Sequence, residues 1–225
     1  MKIAIIVVSI VALALIITSL YLADANKKLA LRADNLEQEK EAIAAELESR
    51  IAAISQEKED EIVRMKSTYD ELVASMQKEI EEGQITITQL ADRLSVSMVD
   101  KILFPSGEAE ITLEGIEVLE RVGNVLKNTQ NQMIRVEGHT DNVPIHPNLQ
   151  DKFPTNWELS TARATNVVRF LQEKVGIKGV RLQAIGMSEY HPVVSNETKA
   201  GRSQNRRIEI NLLPEFAGGM PLTSE

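Results

Sequence analysis

The spacing of apolar residues changes twice along this chain. From Ile3 to Ala23 the sequence IAIIVVSIVALALIITSLYLA contains no charge, no Pro and no Gly. As a helix these 21 residues would span roughly 30 Å, the thickness of a bilayer's hydrocarbon core. From Leu29 the apolar positions recur at helical intervals: Leu29, Leu36, Ile43, Leu47, Ile51 and Ile54, then Ile62, Met65, Tyr69, Leu72, Met76 and Ile80. This is a heptad seam with stutters near Leu47–Ile51 and Met76–Ile80. The seam predicts a coiled-coil stalk over 24–82 that associates as a dimer or higher, with Gly83 as the helix stop. One helix over that range would reach about 90 Å.

Beyond Gly83 strand and helix signals alternate. Period-two patterning predicts strands at Ile85–Thr88 and Leu94–Val99, with Asp92 in the turn between them. Thr112 is placed to cap a helix carrying Ile116, Leu119, Val122 and Leu126. Met133–Glu137 reads as a strand. Thr155 or Asn156 caps a second helix running to about Lys174, with Leu159, Ala162, Phe170 and Leu171 inward. Val180–Ile185 and Arg207–Leu213 are two further strands. The expected fold class is α+β, a mixed sheet with helices on one face. The expected domains are a transmembrane anchor over 1–23, the stalk over 24–82, a folded domain over 84–213 and a flexible tail over 214–225.

Composition supports the division. Every Pro, the only Trp and all four Phe lie beyond residue 100. The segment from Asp24 to Glu82 holds 16 acidic against 9 basic residues and accounts for most of the net charge of -8. With no basic stripe interleaved with aromatics, nucleic acid is not an expected partner. The absence of Cys excludes disulfides, a thiol nucleophile and a lipidated Cys. Ala23-Asp24-Ala25 forms an A-x-A cleavage site, but the apolar run exceeds the roughly 7–15 residues of a signal peptide core, so a retained anchor is expected.

Four segments then stand out in order: Leu103-Phe104-Pro105-Ser106-Gly107, Gly138-His139-Thr140-Asp141-Asn142, Leu159-Ser160-Thr161-Ala162-Arg163-Ala164, and Gly201-Arg202 followed by Asn205-Arg206-Arg207-Ile208-Glu209-Ile210. They resemble the successive motifs of OmpA-like domains. Phe153-Pro154-Thr155-Asn156-Trp157-Glu158-Leu159-Ser160 is closer to the flagellar stator B subunit (MotB type) than to the outer-membrane porin.

The resemblance implies peptidoglycan as partner, bound through the diaminopimelate of its stem peptide. That side chain ends in an ammonium and a carboxylate on one carbon. A carboxylate at Asp141 suits the ammonium, and the guanidinium fork of Arg163 suits the carboxylate in a way Lys could not. The resemblance places Thr140, Asn142 and Leu159 around the pocket, and Asn205 and Arg206 as braces for Asp141. Because 22 positions separate Asp141 from Arg163, the 142–155 loop must bulge away. Phe153 and Trp157 are expected to anchor that loop in a core rather than to stack on sugar.

No metal site is expected: His139, His146 and His191 are scattered without a ligand-spaced partner set. No cofactor, nucleophile elbow or paired acid and base is evident, so the chain is not expected to be an enzyme. The expected role is a non-catalytic tether between the inner (cytoplasmic) membrane and peptidoglycan, single-pass, with its C-terminal domain in the periplasm. The alternative is a stator subunit of a proton-driven motor. Its relay needs an intramembrane carboxylate, and Ile3–Ala23 contains none. Only Met1 and Lys2 precede the span, short of the basic tail of that family.

Overall fold

The computed structural model describes residues 2–90, 93–129 and 132–214, with the side chains of 2–12, 14 and 214 not described. Most of the expected membrane span, the Asp92 turn and the 215–225 part of the tail therefore fall outside the described side chains or residues. Among the described residues no helix is long and apolar enough to cross a membrane. The chain divides into two units, Met1–Glu59 and Asp60–Glu225.

The first unit lies within helix α1, Lys2–Ser75. Its seam residues Leu29, Leu36, Ile43, Leu47, Ile51 and Ile54 are all exposed in the single chain. Pairs of opposite charge one turn apart, Lys28–Asp24 at 2.7 Å and Arg50–Glu46 at 2.6 Å, line the same helix. Such exposed pairs contribute only a few tenths of a kcal/mol each.

The second unit begins inside that helix. Met65, Leu72 and Met76, expected in the stalk seam, are buried in the core of the folded domain, with Tyr69 and Ile80 packed against it. From Met65 on, the lower seam is thus covered within its own chain, while Ile62 stays exposed, and the domain takes in the helix from Asp60. The helix also breaks at the second stutter: Met76 leaves helical geometry at φ -118°, ψ 17°, and a short helix α2, Gln77–Glu81, follows. Gly83, at φ +66°, closes it as expected. Its N–H donates to the carbonyl of Ile80 at 3.0 Å and that of Gln84 to Glu79 at 2.8 Å, the paired bonds of a Schellman stop.

Strands β1 (Ile85–Leu90) and β2 (Arg93–Val99) lead to a short helix α3 (Asp100–Leu103) and helix α4 (Leu113–Asn128). Strand β3 (Gln132–His139), helix α5 (Asn156–Phe170), strand β4 (Leu182–Ser188), helix α6 (Lys199–Asn205) and strand β5 (Arg207–Pro214) complete the unit. The sheet order is β1-β2-β5-β3-β4. Among the described residues only β3 and β4 run parallel; the other neighbours are antiparallel. The five-stranded sheet is therefore mixed, as its alternating pattern predicts, although β3 and β4 begin or end one to three residues from their expected bounds.

Alternate strand residues (Val96, Met98, Ile134, Val136, Ile208, Ile210) share one core with Val118, Leu119 and Val122 of α4 and Ala164 and Val167 of α5. Thr112 caps α4 by accepting from the Gly115 N–H at 2.9 Å. Thr155 caps α5 in a box with Glu158, which satisfies two amides that would otherwise lack partners. The predicted helix to Lys174 ends as an α-helix at Phe170 and continues as one wider π turn, Leu171–Val175. Helix α5 sits hard against the sheet because Gly138 and Gly186 lack side chains: a Cβ would meet the Ser160 carbonyl oxygen at 2.2 Å or the Thr161 hydroxyl at 2.1 Å.

Candidate binding site

The carboxyl ends of β2 and β3 and the start of β5 bring four charged residues into one network. Asp141 follows β3, Asp100 follows β2, Arg206 precedes β5, and Arg163 reaches across from the middle of α5. Asp141 Oδ2 accepts from Arg206 Nη1 at 2.5 Å. Asp100 Oδ2 accepts from Arg163 Nη1 at 3.1 Å and lies 3.5 Å from Arg206 Nε. Two carboxylates and two guanidiniums thus alternate: Asp141, Arg206, Asp100, Arg163.

The expected pair does not bond directly. Asp141 and Arg163 belong to one network, but each holds another partner. Arg163 is 2% exposed. Its Nε donates to the Glu108 carbonyl at 2.8 Å, and its guanidinium lies 5.0 Å from the Phe104 ring centroid. Burial, the largest influence, pulls the Arg163 pKa down, while Asp100 opposes the shift. Burial likewise pushes the Asp100 carboxyl up, against the pull of Arg163 and Arg206. Arg206, with a side chain 36% exposed, is the cation that solvent reaches.

The Asp141 carboxylate also accepts the Val143 N–H at 3.0 Å, which fixes the first turn of the 142–155 loop. Asn156, at the head of α5, donates to the carbonyl oxygens of Asp141 at 3.3 Å and Val143 at 3.1 Å. The long loop carries a 3-10 turn at Pro147–Leu149. Thr140 is buried, and its hydroxyl has no hydrogen-bond partner among the described residues. Asn142 is exposed. Leu159 packs with Ala109 and Phe153 in a small second cluster.

Asn205 acts elsewhere than expected. It is buried, accepts the Val193 and Val194 N–H groups at 2.9 and 3.1 Å, and donates to the Val194 carbonyl at 2.8 Å. It braces the 193–196 loop rather than Asp141. Trp157 also departs from expectation: Phe153 is buried, but Trp157 stands 47% exposed. Asp100 was not singled out by the sequence. Its signal is an acidic residue closing the alternating strand Leu94–Val99 directly before the Leu103-Phe104-Pro105 element.

Folding also gathers residues that look scattered in sequence. Glu137, His139 and Glu209 bring ligand-type atoms within 4.8 Å of one another. Arg207 Nε holds Glu209 at 2.6 Å, and Arg135 Nη1 lies 3.9 Å from Glu137. The group is an ion-pair network on the face of the sheet away from α5.

The mixed sheet in this order, covered by helices, is an OmpA-like fold. The OmpA family profile matches residues 103–206. The chain carries an OmpA-like C-terminal domain of the MotB type. It is 33% identical over 159 residues to Motility protein B of Bacillus subtilis, a match covering 71% of this chain and 59% of that protein. Its fold resembles a MotB-like protein from Desulfovibrio vulgaris with a TM-score of 0.63 at 28% identity, covering 70% of this chain and 98% of the other. The cell wall anchor of the T6SS from Pseudomonas aeruginosa is similar at a TM-score of 0.58 and 33% identity, over 64% of this chain and 97% of that one. The chain spans about three fifths of the length of the first curated relatives it matches.

Proposed function

We propose that this chain is a non-catalytic tether, anchored in the inner membrane by Ile3–Ala23, whose C-terminal domain binds peptidoglycan through the diaminopimelate stem peptide. The observation that carries the reading is the alternating network of Asp141, Arg206, Asp100 and Arg163. A zwitterionic ligand end can enter such a network by exchange: its ammonium takes the place of Arg206 on Asp141, and its carboxylate takes a place on a guanidinium. Each charge-assisted bond contributes about 1.5–3 kcal/mol, so one domain binds modestly. Association along the exposed seam of α1 would raise the hold on a polymer by presenting several domains together. In this reading Thr140 and Asn142, the chain neighbours of Asp141, shape the ligand's surroundings together with Leu159, and Arg206 yields its place on Asp141 to the ammonium.

The test is retention of the full chain on purified sacculi. Asp141→Asn keeps the oxygen that accepts from Val143 but removes the charge. It should lose retention, and free diaminopimelate should compete for the wild type where free lysine does not. Retention of the variant at the wild-type level would sink the site.

The likeness to Motility protein B favours a second reading, a motor stator. Ile3–Ala23 offers no carboxylate, the group such a relay needs within the membrane. Proton flux that disappears in Asp24→Asn would reinstate the stator.

A further inference from the structure

Beside the charge network two aromatic rings stand in water. Trp157 is 47% and Tyr190 64% exposed, and neither belongs to a buried cluster of the domain. Single exposed aromatics are ordinary. These two are stacked on each other, with centroids 5.6 Å apart and planes inclined by 28°, although they come from opposite ends of the α5–β4 segment. Stacked in this way, each ring backs the other and the pair leaves outer ring surface in water.

The surface is held from beneath. Trp157 lies in the first turn of α5, and its N–H donates to the capping hydroxyl of Thr155 at 3.1 Å. Tyr190 follows Ser188, which adopts the left-handed region at φ +53° without being glycine. That conformation costs of order 1–2 kcal/mol and persists where the surroundings impose it. Here the Ser188 N–H donates to Ser160 Oγ at 3.1 Å, and its carbonyl accepts from the Thr140 N–H at 2.9 Å. Asn156 Nδ2 joins both sides, donating to Glu189 Oε2 at 2.6 Å and to the Asp141 carbonyl at 3.3 Å. The backbone that carries the rings is thus fixed to the residue proposed to take the stem peptide.

We propose that Trp157 and Tyr190 form a stacking platform for an N-acetylhexosamine ring of the glycan strand. The inference rests on the tether reading, and it adds a second contact to the same polymer. The face of a pyranose carries several C–H groups of slight positive character, and an aromatic face is negative. Stacking covers both while the sugar hydroxyls stay in water. The glycan strand is also what lies next to a bound stem peptide, because the peptide is attached to it. A platform rigidly joined to Asp141 therefore meets the sugar without further ordering, which lowers the cost of binding.

Trp157 is the only tryptophan, so intrinsic fluorescence reports on the platform directly. The full chain is titrated with glycan strands stripped of stem peptide, with sugar-free stem peptide, and with intact sacculi. The expected result is a change in Trp157 emission with stripped strands that survives in Asp141→Asn. Tyr190→Ala and Trp157→Ala should weaken binding to sacculi about fivefold to tenfold and leave affinity for sugar-free stem peptide unchanged. Both rings are substantially exposed, so both variants should keep the fold by circular dichroism. Unchanged emission with stripped strands, together with wild-type sacculus binding by Tyr190→Ala, overturns the platform and leaves the tether intact. Emission that responds to stripped strands while the wild type ignores stem peptide supports the platform and removes the stem-peptide reading.

Discussion

Arg163 donates through Nη1 to Asp100 Oδ2, 3.1 Å away, with both side chains almost fully enclosed. The pair joins the middle of α5 to the end of β2, while Arg206 bridges onward from Asp100 to Asp141. Arg163 therefore has a structural task independent of any ligand.

Removing Arg163 alone leaves the Asp100 carboxylate buried and short of a partner. Breaking one side of a buried pair costs about 3–5 kcal/mol. Arg163→Ala should lower stability by that order in urea unfolding, and Asp100→Asn in the same background should recover part of the loss. A double-mutant cycle measures the coupling. Strictly additive effects of the two substitutions would show that the pair is not a unit.

Gly138 and Gly186 set how closely α5 approaches the sheet. A methyl at Gly138 would lie 2.2 Å from a backbone oxygen of Ser160, so the helix itself must move. Gly138→Ala should destabilise by about 1–3 kcal/mol or more. Because Asn156 at the head of the same helix holds the Asp141 carbonyl, the shift should also weaken retention on sacculi. A variant as stable as the wild type would mean that α5 can yield without cost.

Much of this arrangement is legible in the sequence. The strand alternation, the Thr112 and Thr155 caps and the Gly83 stop are local, and each follows from a few neighbouring residues. Two features are not local. The choice of Asp100 over Asp141 by Arg163 depends on how far a guanidinium reaches across three elements. The coverage of Met65, Leu72 and Met76 by the domain's own sheet and helices has the same apolar spacing as a coiled-coil seam, since both follow one helix face. Trp157 reads as core by composition, yet its place in the first turn of α5 turns it to solvent.

Acid should weaken the domain partly through Glu137. This carboxylate faces Glu209 across the β3–β5 register, with His139 Nε2 at 3.7 Å and Arg135 Nη1 at 3.9 Å. Chiefly the His139 contact, helped by Arg135 and Asn211, holds its pKa below the ordinary 4.5 despite burial. A depressed carboxyl contributes stability above its unfolded value and loses it as pH falls through the folded one. Asp100 has the opposite sign: its raised pKa makes its contribution full below 3.8 and lost as pH rises through the shifted value. The two are separated by comparing variants. The stability gap between wild type and Glu137→Gln should close on acidification, in urea midpoints taken from about pH 7 to about pH 3. A gap that stays constant would show that Glu137 does not titrate differently in the folded state.

The helix α1 offers the sharpest division between two uses of one apolar pattern. Leu36, Ile43, Leu47 and Ile51 are exposed in the single chain, whereas Met65, Leu72 and Met76 are buried in the folded domain. If the upper stripe closes a coiled coil, charging it should dissolve the assembly without unfolding the domain. Ile43→Glu with Leu47→Glu should shift the full chain in detergent to monomer by analytical ultracentrifugation while urea unfolding of the domain stays the same. Leu72→Ala should do the reverse, leaving association in place and lowering domain stability by about 2–5 kcal/mol, the usual cost of emptying a filled core position. Sacculus retention follows the same division: the double Glu variant should keep single-domain affinity but lose the gain from several domains on one strand. A wild-type chain that sediments as a monomer would make α1 a lone spacer and remove that gain altogether.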